Sequence, residues 1–182
     1  SFTDAEGHSA TFTYATQNQT FVHPTNPSDT ATFTFYNLIR TDFPDGSFRT
    51  FTHDGRGNIL TTADSAGRTS RFSYDARGLL LTATNPAGGT ATFTYGPDGT
   101  LASRTDSDPG IGTTTYAYDA SRRLSTVTAP GGRQTSLTYD AGDRLLVYVM
   151  APDQRADMTY DGNGNPDTWE SSSFGVCRAY FD

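Results

Sequence analysis

With 182 residues the chain is long enough for one domain that buries a sizeable core, and its formal charge of −7 excludes the basic face that nucleic acids and anionic membranes require. Every base is an arginine, every acid but Glu6 and Glu170 is an aspartate, and 12 Phe, 10 Tyr, 18 Gly and 9 Pro punctuate a Thr-rich sequence. Asp, Gly and Pro make turns, while Thr, Tyr and Phe suit half-buried pleats, so the composition argues against helix and against disorder and for an all-β chain.

Cys177 is the only cysteine, so no internal disulfide staples the fold. No apolar run approaches the length of a membrane span; Leu145–Met150 reads as one apolar strand.

Along the chain a strand ending recurs, as in Ser1–Tyr14 (SFTDAEGHSATFTY) and Thr82–Tyr95 (TATNPAGGTATFTY). Taking its last residue as an anchor gives Tyr14, Phe35, His53, Tyr74, Tyr95, Tyr118, Tyr139, Tyr160 and Phe181, with spacings of 21, 18, 21, 21, 23, 21, 21 and 21. Phe12, Phe33, Phe51, Phe72, Phe93 and Tyr116 lie two residues before an anchor and so share its face of the strand.

Asp follows the anchor at Asp54, Asp75, Asp119, Asp140, Asp161 and Asp182, and three residues later comes Gly57, Gly78 or Gly164. Asp opens a type I turn by bonding back to the backbone, and Gly accepts the positive φ at its end. Arg122 and Asp143 stand where that glycine is expected. An apolar residue then starts the return strand (Ile59, Leu80, Leu101, Leu124, Leu145), and a second turn such as Asn85–Gly88 or Ala129–Gly132 leads onward. One repeat is one hairpin plus a connection, and the whole chain predicts roughly 16 strands.

The recurring Tyr-Asp-x-x-Gly-x-Leu, followed by Thr-x-x-Pro-x-Gly, resembles the YD repeat of RHS proteins, teneurins and the shell subunits of insecticidal toxin complexes. The resemblance implies tandem antiparallel hairpins in a curved, spiralling sheet, one array over residues 1–182 with divergent repeats at 1–50 and regular ones at 51–182. It also implies a non-catalytic extracellular or cell-surface scaffold, in a shell or a fibre, that encloses a toxin or presents an adhesive surface. In such shells an Asp-Pro-x-Gly core marks aspartyl autocleavage; Asp108-Pro109-Gly110-Ile111-Gly112 touches that wording but reads better as the loop that lengthens the 23-residue repeat.

Other chemistry is sparse. His8, His23 and His53 are the only histidines, and no phosphate loop can exist without lysine. Asp161–Asp167 imitates the opening of a calcium loop, yet Pro166 holds the place of its glycine and Ser172 that of its glutamate. No cofactor is expected. Asn18-Gln19-Thr20 matches a glycosylation acceptor. Arg56, Arg77, Arg104, Arg122 and Arg144 recur near turns, where pairing with Asp of adjacent units is the expectation and a glycan-gripping stripe of Arg and aromatics the alternative.

By the repeat, Ser1 falls inside a return strand and Asp182 at a hairpin turn, so partners are expected at the ends. These are a continuation of the same polypeptide or identical copies stacking end to end, because Ser9–Tyr14 carries no charge or proline and Val176–Phe181 only Arg178.

Overall fold

The computed structural model describes residues 1–3, 7, 9–150 and 154–171 in full and 175–178 by their backbone. Two compact units follow one another, Ser1–Thr92 and Phe93–Asp182. Both are built of antiparallel strands, each bonded to its neighbours in sequence, and the described residues contain no α-helix. The sixteen strands among the described residues agree with the number expected from the repeat.

The first unit holds β1 (Phe2–Thr3), β2 (Ser9–His23), β3 (Asn26–Asp42), β4 (Phe48–His53), β5 (Ile59–Asp64), β6 (Thr69–Tyr74), β7 (Leu80–Thr84) and the start of β8 (Thr90–Tyr95). The second takes the end of β8 and runs through β9 (Leu101–Asp106), β10 (Thr113–Tyr118), β11 (Leu124–Thr128), β12 (Gln134–Tyr139), β13 (Leu145–Met150), β14 (Gln154–Tyr160), β15 (Pro166–Ser171) and β16 (Gly175–Arg178). A single 3-10 turn, Pro130–Gly132, joins β11 to β12.

The return strands begin at the apolar residues the repeat marks, Ile59, Leu80, Leu101, Leu124 and Leu145. His53, Tyr74, Tyr95, Tyr118, Tyr139 and Tyr160 each close a strand. Phe181 and Asp182 lie outside the described residues.

Two anchors do not end strands. Tyr14 lies inside β2 and Phe35 inside β3, and the two strands form one long hairpin from Thr11↔Asp42 to His23↔Asn26. The reason is the turn chemistry. No glycine occurs between Gly7 and Gly46, so nothing there takes the positive φ of a tight turn, and the chain runs on to a tip around Pro24. The first repeats are thus not short hairpins, and β2 rather than an edge strand carries Ser9–Tyr14.

Neither unit has the core that the chain length suggested. Among the described residues only Thr41 and Ala156 are buried, at 6% and 7% exposure. Strands that pair only with their sequence neighbours make one layer, and a single layer leaves both faces of every strand open. Side is nonetheless defined. Phe93 and Tyr95, Tyr116 and Tyr118, and Leu137 and Tyr139 are half-buried, while Thr94, Ala117 and Thr138 between them are exposed. On the long hairpin Phe12, Tyr14, Phe33 and Phe35 are exposed instead, because those strands have fewer neighbours.

With so little burial, local terms carry weight. Hydroxyl pairs cross the ladder at Thr52–Thr61 (2.7 Å), Ser73–Thr82 (2.6 Å) and Thr159–Thr168 (2.6 Å). Such cross-strand pairs contribute about 0.2–1 kcal/mol each.

Candidate functional site: a repeated turn and its tyrosine

One turn is built again and again. In Asp54–Asn58 the first residue donates its N–H to the carbonyl of the fifth (2.9 Å), and Gly57 donates to the carbonyl of Asp54 (3.1 Å). Asp75–Leu79 and Asp161–Asn165 repeat this, with Gly78 and Gly164 donating at 3.0 Å. The fourth residue has positive φ, 86° at Gly57, 83° at Gly78 and 87° at Gly164. This is a type I turn closed by a left-handed residue, the three-residue hairpin loop that adds a bulge to the ladder. The bulge falls just before the anchor at His53, Tyr74, Tyr118, Tyr139 and Tyr160. Where glycine is missing, Arg122 and Asp143 take the same conformation, both at φ 64°.

The opening aspartate clamps the loop. Asp75 Oδ1 accepts the N–H of Arg77 (2.8 Å) and of Leu79 (2.9 Å), and Asp161 Oδ1 those of Asn163 and Asn165 (both 2.9 Å). Asp54 does the same with Arg56 and Asn58. Asn85 performs the task with an amide oxygen. Where Phe43 or Gly96 opens the turn, Asp45 or Asp98 sits two residues on and holds the fifth residue instead.

These bonds favour the charged carboxylate. Backbone bonds from the fifth residue hold Asp75, Asp119, Asp140 and Asp161 below the usual aspartate range, and the Asn58 amide does so first for Asp54. Asp161, the first residue of the calcium-like segment, spends its oxygens in this way.

The fifth residue is a position that sequence reasoning passed over. Asn58, Arg68, Arg123, Arg144 and Asn165 all reach back to the second oxygen of the opening Asp, with Nε of Arg68, Arg123 and Arg144 at 2.7 Å. The signal was legible, since Asn or Arg follows the turn glycine or its substitute at each. Of the five arginines singled out by recurrence, Arg144 is the one at this position. Arg77 and Arg104 pair with Asp75 and Asp106 (3.0 and 2.9 Å), within their own turn or strand. Arg122 does reach across, to Asp98 at 3.6 Å.

Successive repeats are joined by the anchors. The hydroxyl of Tyr74 donates to the Ile59 carbonyl (2.9 Å), that of Tyr139 to Leu124 and that of Tyr160 to Leu145 (both 2.8 Å). Arg123 and Arg144, held by Asp119 and Asp140, lie over the rings of Tyr139 and Tyr160 at 4.9 and 4.8 Å. Arg123 also donates to the Asp140 carbonyl and to Asp143. Burial raises the Tyr74 phenol above its usual pKa, helped by the charge on Asp54. His53 closes β4 half-buried, and Asn18 of the glycosylation acceptor lies exposed in β2, accepting from Thr34.

Residues 53–90 and 74–111 each match the RHS repeat family. No curated protein matches the sequence. Among solved structures, the crystal structure of TcdB2-TccC3 has a TM-score of 0.64 at 13% identity, covering 96% of this chain and 12% of that one. The Photorhabdus luminescens Tc holotoxin pore with a mutated TccC3 gives 0.63 at 13%, covering 86% and 10%. TcdB2-TccC3-Cdc42 gives 0.63 at 13%, also covering 86% and 10%. The likeness is one of fold, and the chain spans about a tenth of the length of the chains it matches. No described helix is long and apolar enough to cross a membrane.

Proposed function

We propose, for a chain that carries RHS repeats over residues 53–111, a structural and non-catalytic role as a stretch of wall in a larger polypeptide. The observation that carries this reading is the join between repeats. Each bridging tyrosine spends its hydroxyl on the preceding return strand, and each turn aspartate spends its carboxylate on its own loop, so the recurring polar groups of the repeat serve continuity. A row of such joins extends without limit, which suits a shell, or a fibre of stacked copies, outside the cell or on its surface. The anchors Tyr74, Tyr95, Tyr118, Tyr139 and Tyr160 and the turn residues Asp54, Gly57, Asp75, Gly78, Asp161 and Gly164 are then the functional residues, as parts of that wall.

An enclosed toxin is the cargo this reading favours, given Tc holotoxin components among the structural neighbours. The test is cryo-electron microscopy of the full-length product together with limited proteolysis. A closed chamber protecting a distinct segment is expected; an open, solvent-permeated fold with turnover of a hydrolase substrate would sink the proposal. A glycan-gripping stripe through Arg77 and Arg104 has less support, because both guanidinium groups are engaged by carboxylates.

A further inference from the structure

The geometry points to a binding site for a neutral hexopyranose ring at the root of the β2–β3 hairpin, a role independent of the scaffold reading. β3 pairs with β4 only from Arg40 to Asp42, after which the hairpin runs past the Asp54–Asn58 turn and leaves a recess of about 290 Å³ beside it. Ligand pockets begin near 300 Å³, so this one suits a single sugar ring. Gln17, Gln19, Phe35, Asn37 and Arg56 line it.

The polar lining is set in place before any ligand arrives. The Gln17 amide donates to the Gly55 carbonyl and accepts from Asn37 Nδ2 at 2.6 Å, which fixes its plane. Gln19 projects from the same side of β2 two residues on, and its amide has no hydrogen-bond partner among the described residues. The Arg56 guanidinium is tied to the Ala76 carbonyl and, unlike Arg77 and Arg104, makes no ion pair with a described carboxylate.

Aromatic surface stands beside these groups. Gln17 lies directly opposite Phe35 in the ladder and Gln19 opposite Phe33, so amide and ring alternate across one face. Phe35 is 45% exposed and Phe33 54%.

That combination matches the chemistry of a pyranose. Vicinal hydroxyls both donate and accept, as a carboxamide does, and a guanidinium adds fixed donors. The C–H face of the ring packs on an aromatic plane, which removes apolar area from water without stranding a hydroxyl. A neutral ring fits because the lining is mainly carboxamides and aromatic rings, and its single ionised group, Arg56, already has its guanidinium tied to the Ala76 carbonyl.

Calorimetry and saturation-transfer NMR on the 182-residue chain, with cello-, malto- and mannohexaose as probes, decide the matter. At least one probe should bind saturably, with an affinity unchanged by high salt. Gln19→Ala and Phe35→Ala should each weaken binding about tenfold or more while the circular dichroism stays that of the parent, and Arg77→Ala should bind as the parent does. No saturable binding, binding confined to sulfated or carboxylated glycans and lost in salt, or self-association through Phe35 with no sugar bound would each overturn the assignment. Any of these failures leaves the wall-forming role standing, since it rests on the tyrosine joins and not on this recess.

Discussion

The hydroxyl of Tyr139 donates to the backbone carbonyl of Leu124, fifteen residues earlier, at 2.8 Å. Tyr160 repeats the bond to Leu145 and Tyr74 to Ile59. A ring at the end of one hairpin thus holds the first residue of the return strand before it, and the repeat length is the distance over which this meeting recurs. Tyr118, which follows the 23-residue repeat, makes no such bond among the described residues, and the two extra residues sit in the Asp106–Gly112 loop.

Removing only the hydroxyl isolates that join. Tyr139→Phe should destabilise the protein by about 1 kcal/mol, the usual net worth of one hydrogen bond, with the ring contact to Arg123 kept. Hydrogen exchange should quicken at Leu124–Thr128 and Gln134–Tyr139 and stay unchanged at β4–β6, because a repeat array transmits stability only between neighbours. Faster exchange throughout the chain would count against a local join.

The clamp in each turn can be tested against an internal control. Asn85 shows that an amide oxygen suffices, so Asp75→Asn should cost little, whereas Asp75→Ala leaves two backbone N–H groups without their acceptor and should cost about 1–2 kcal/mol. Urea denaturation of the two variants measures the difference; equal losses would show that charge rather than geometry matters.

Arg122 holds a left-handed conformation that disfavours side chains by about 1 kcal/mol or more. Its ion pair with Asp98 is long at 3.6 Å and the side chain is 70% exposed, so little is lost with it. Arg122→Gly should therefore raise the denaturation midpoint. Asp143→Gly should gain less, since Asp tolerates this region better and its carboxylate also receives Arg123.

Acid should loosen the array. Asp54, Asp75, Asp119, Asp140 and Asp161 all have pKa values lowered by folding, so the charge-dependent part of their contribution, summed over five turns, is complete above the unfolded value near 3.8 and is lost as pH falls through the folded ones. Urea midpoints measured from pH 7 down to 2 should stay level until the aspartate range and drop below it. A loss centred near neutrality would count against the aspartate clamps.

The regular half of the chain was readable because each local signal repeats. Asp, the turn glycine and the apolar residue two further on recur in phase, and the return strands start where they predict. The long β2–β3 hairpin was not readable from anchors alone: Tyr14 and Phe35 fit the spacing by ring and period, but the absence of glycine between Gly7 and Gly46 decided the backbone. The shallow burial also escaped the sequence, since an alternating strand looks alike whether its apolar side meets a second layer or open water. The recess at Gln17 and Gln19 was invisible for a related reason, as it forms where the hairpin overruns its neighbour.

Because every strand pairs with the one next in sequence, tension on the chain ends meets this protein in its weakest direction. The hydrogen bonds of a hairpin pulled apart from its open end break singly, like a zipper, rather than together as in strands sheared lengthwise. A single molecule held in optical tweezers should yield at low force and release about 70 Å of chain per step, the contour length of 21 residues. A sheet paired in this way yields to traction along its thread, and any machine that grips one end would draw it out repeat by repeat.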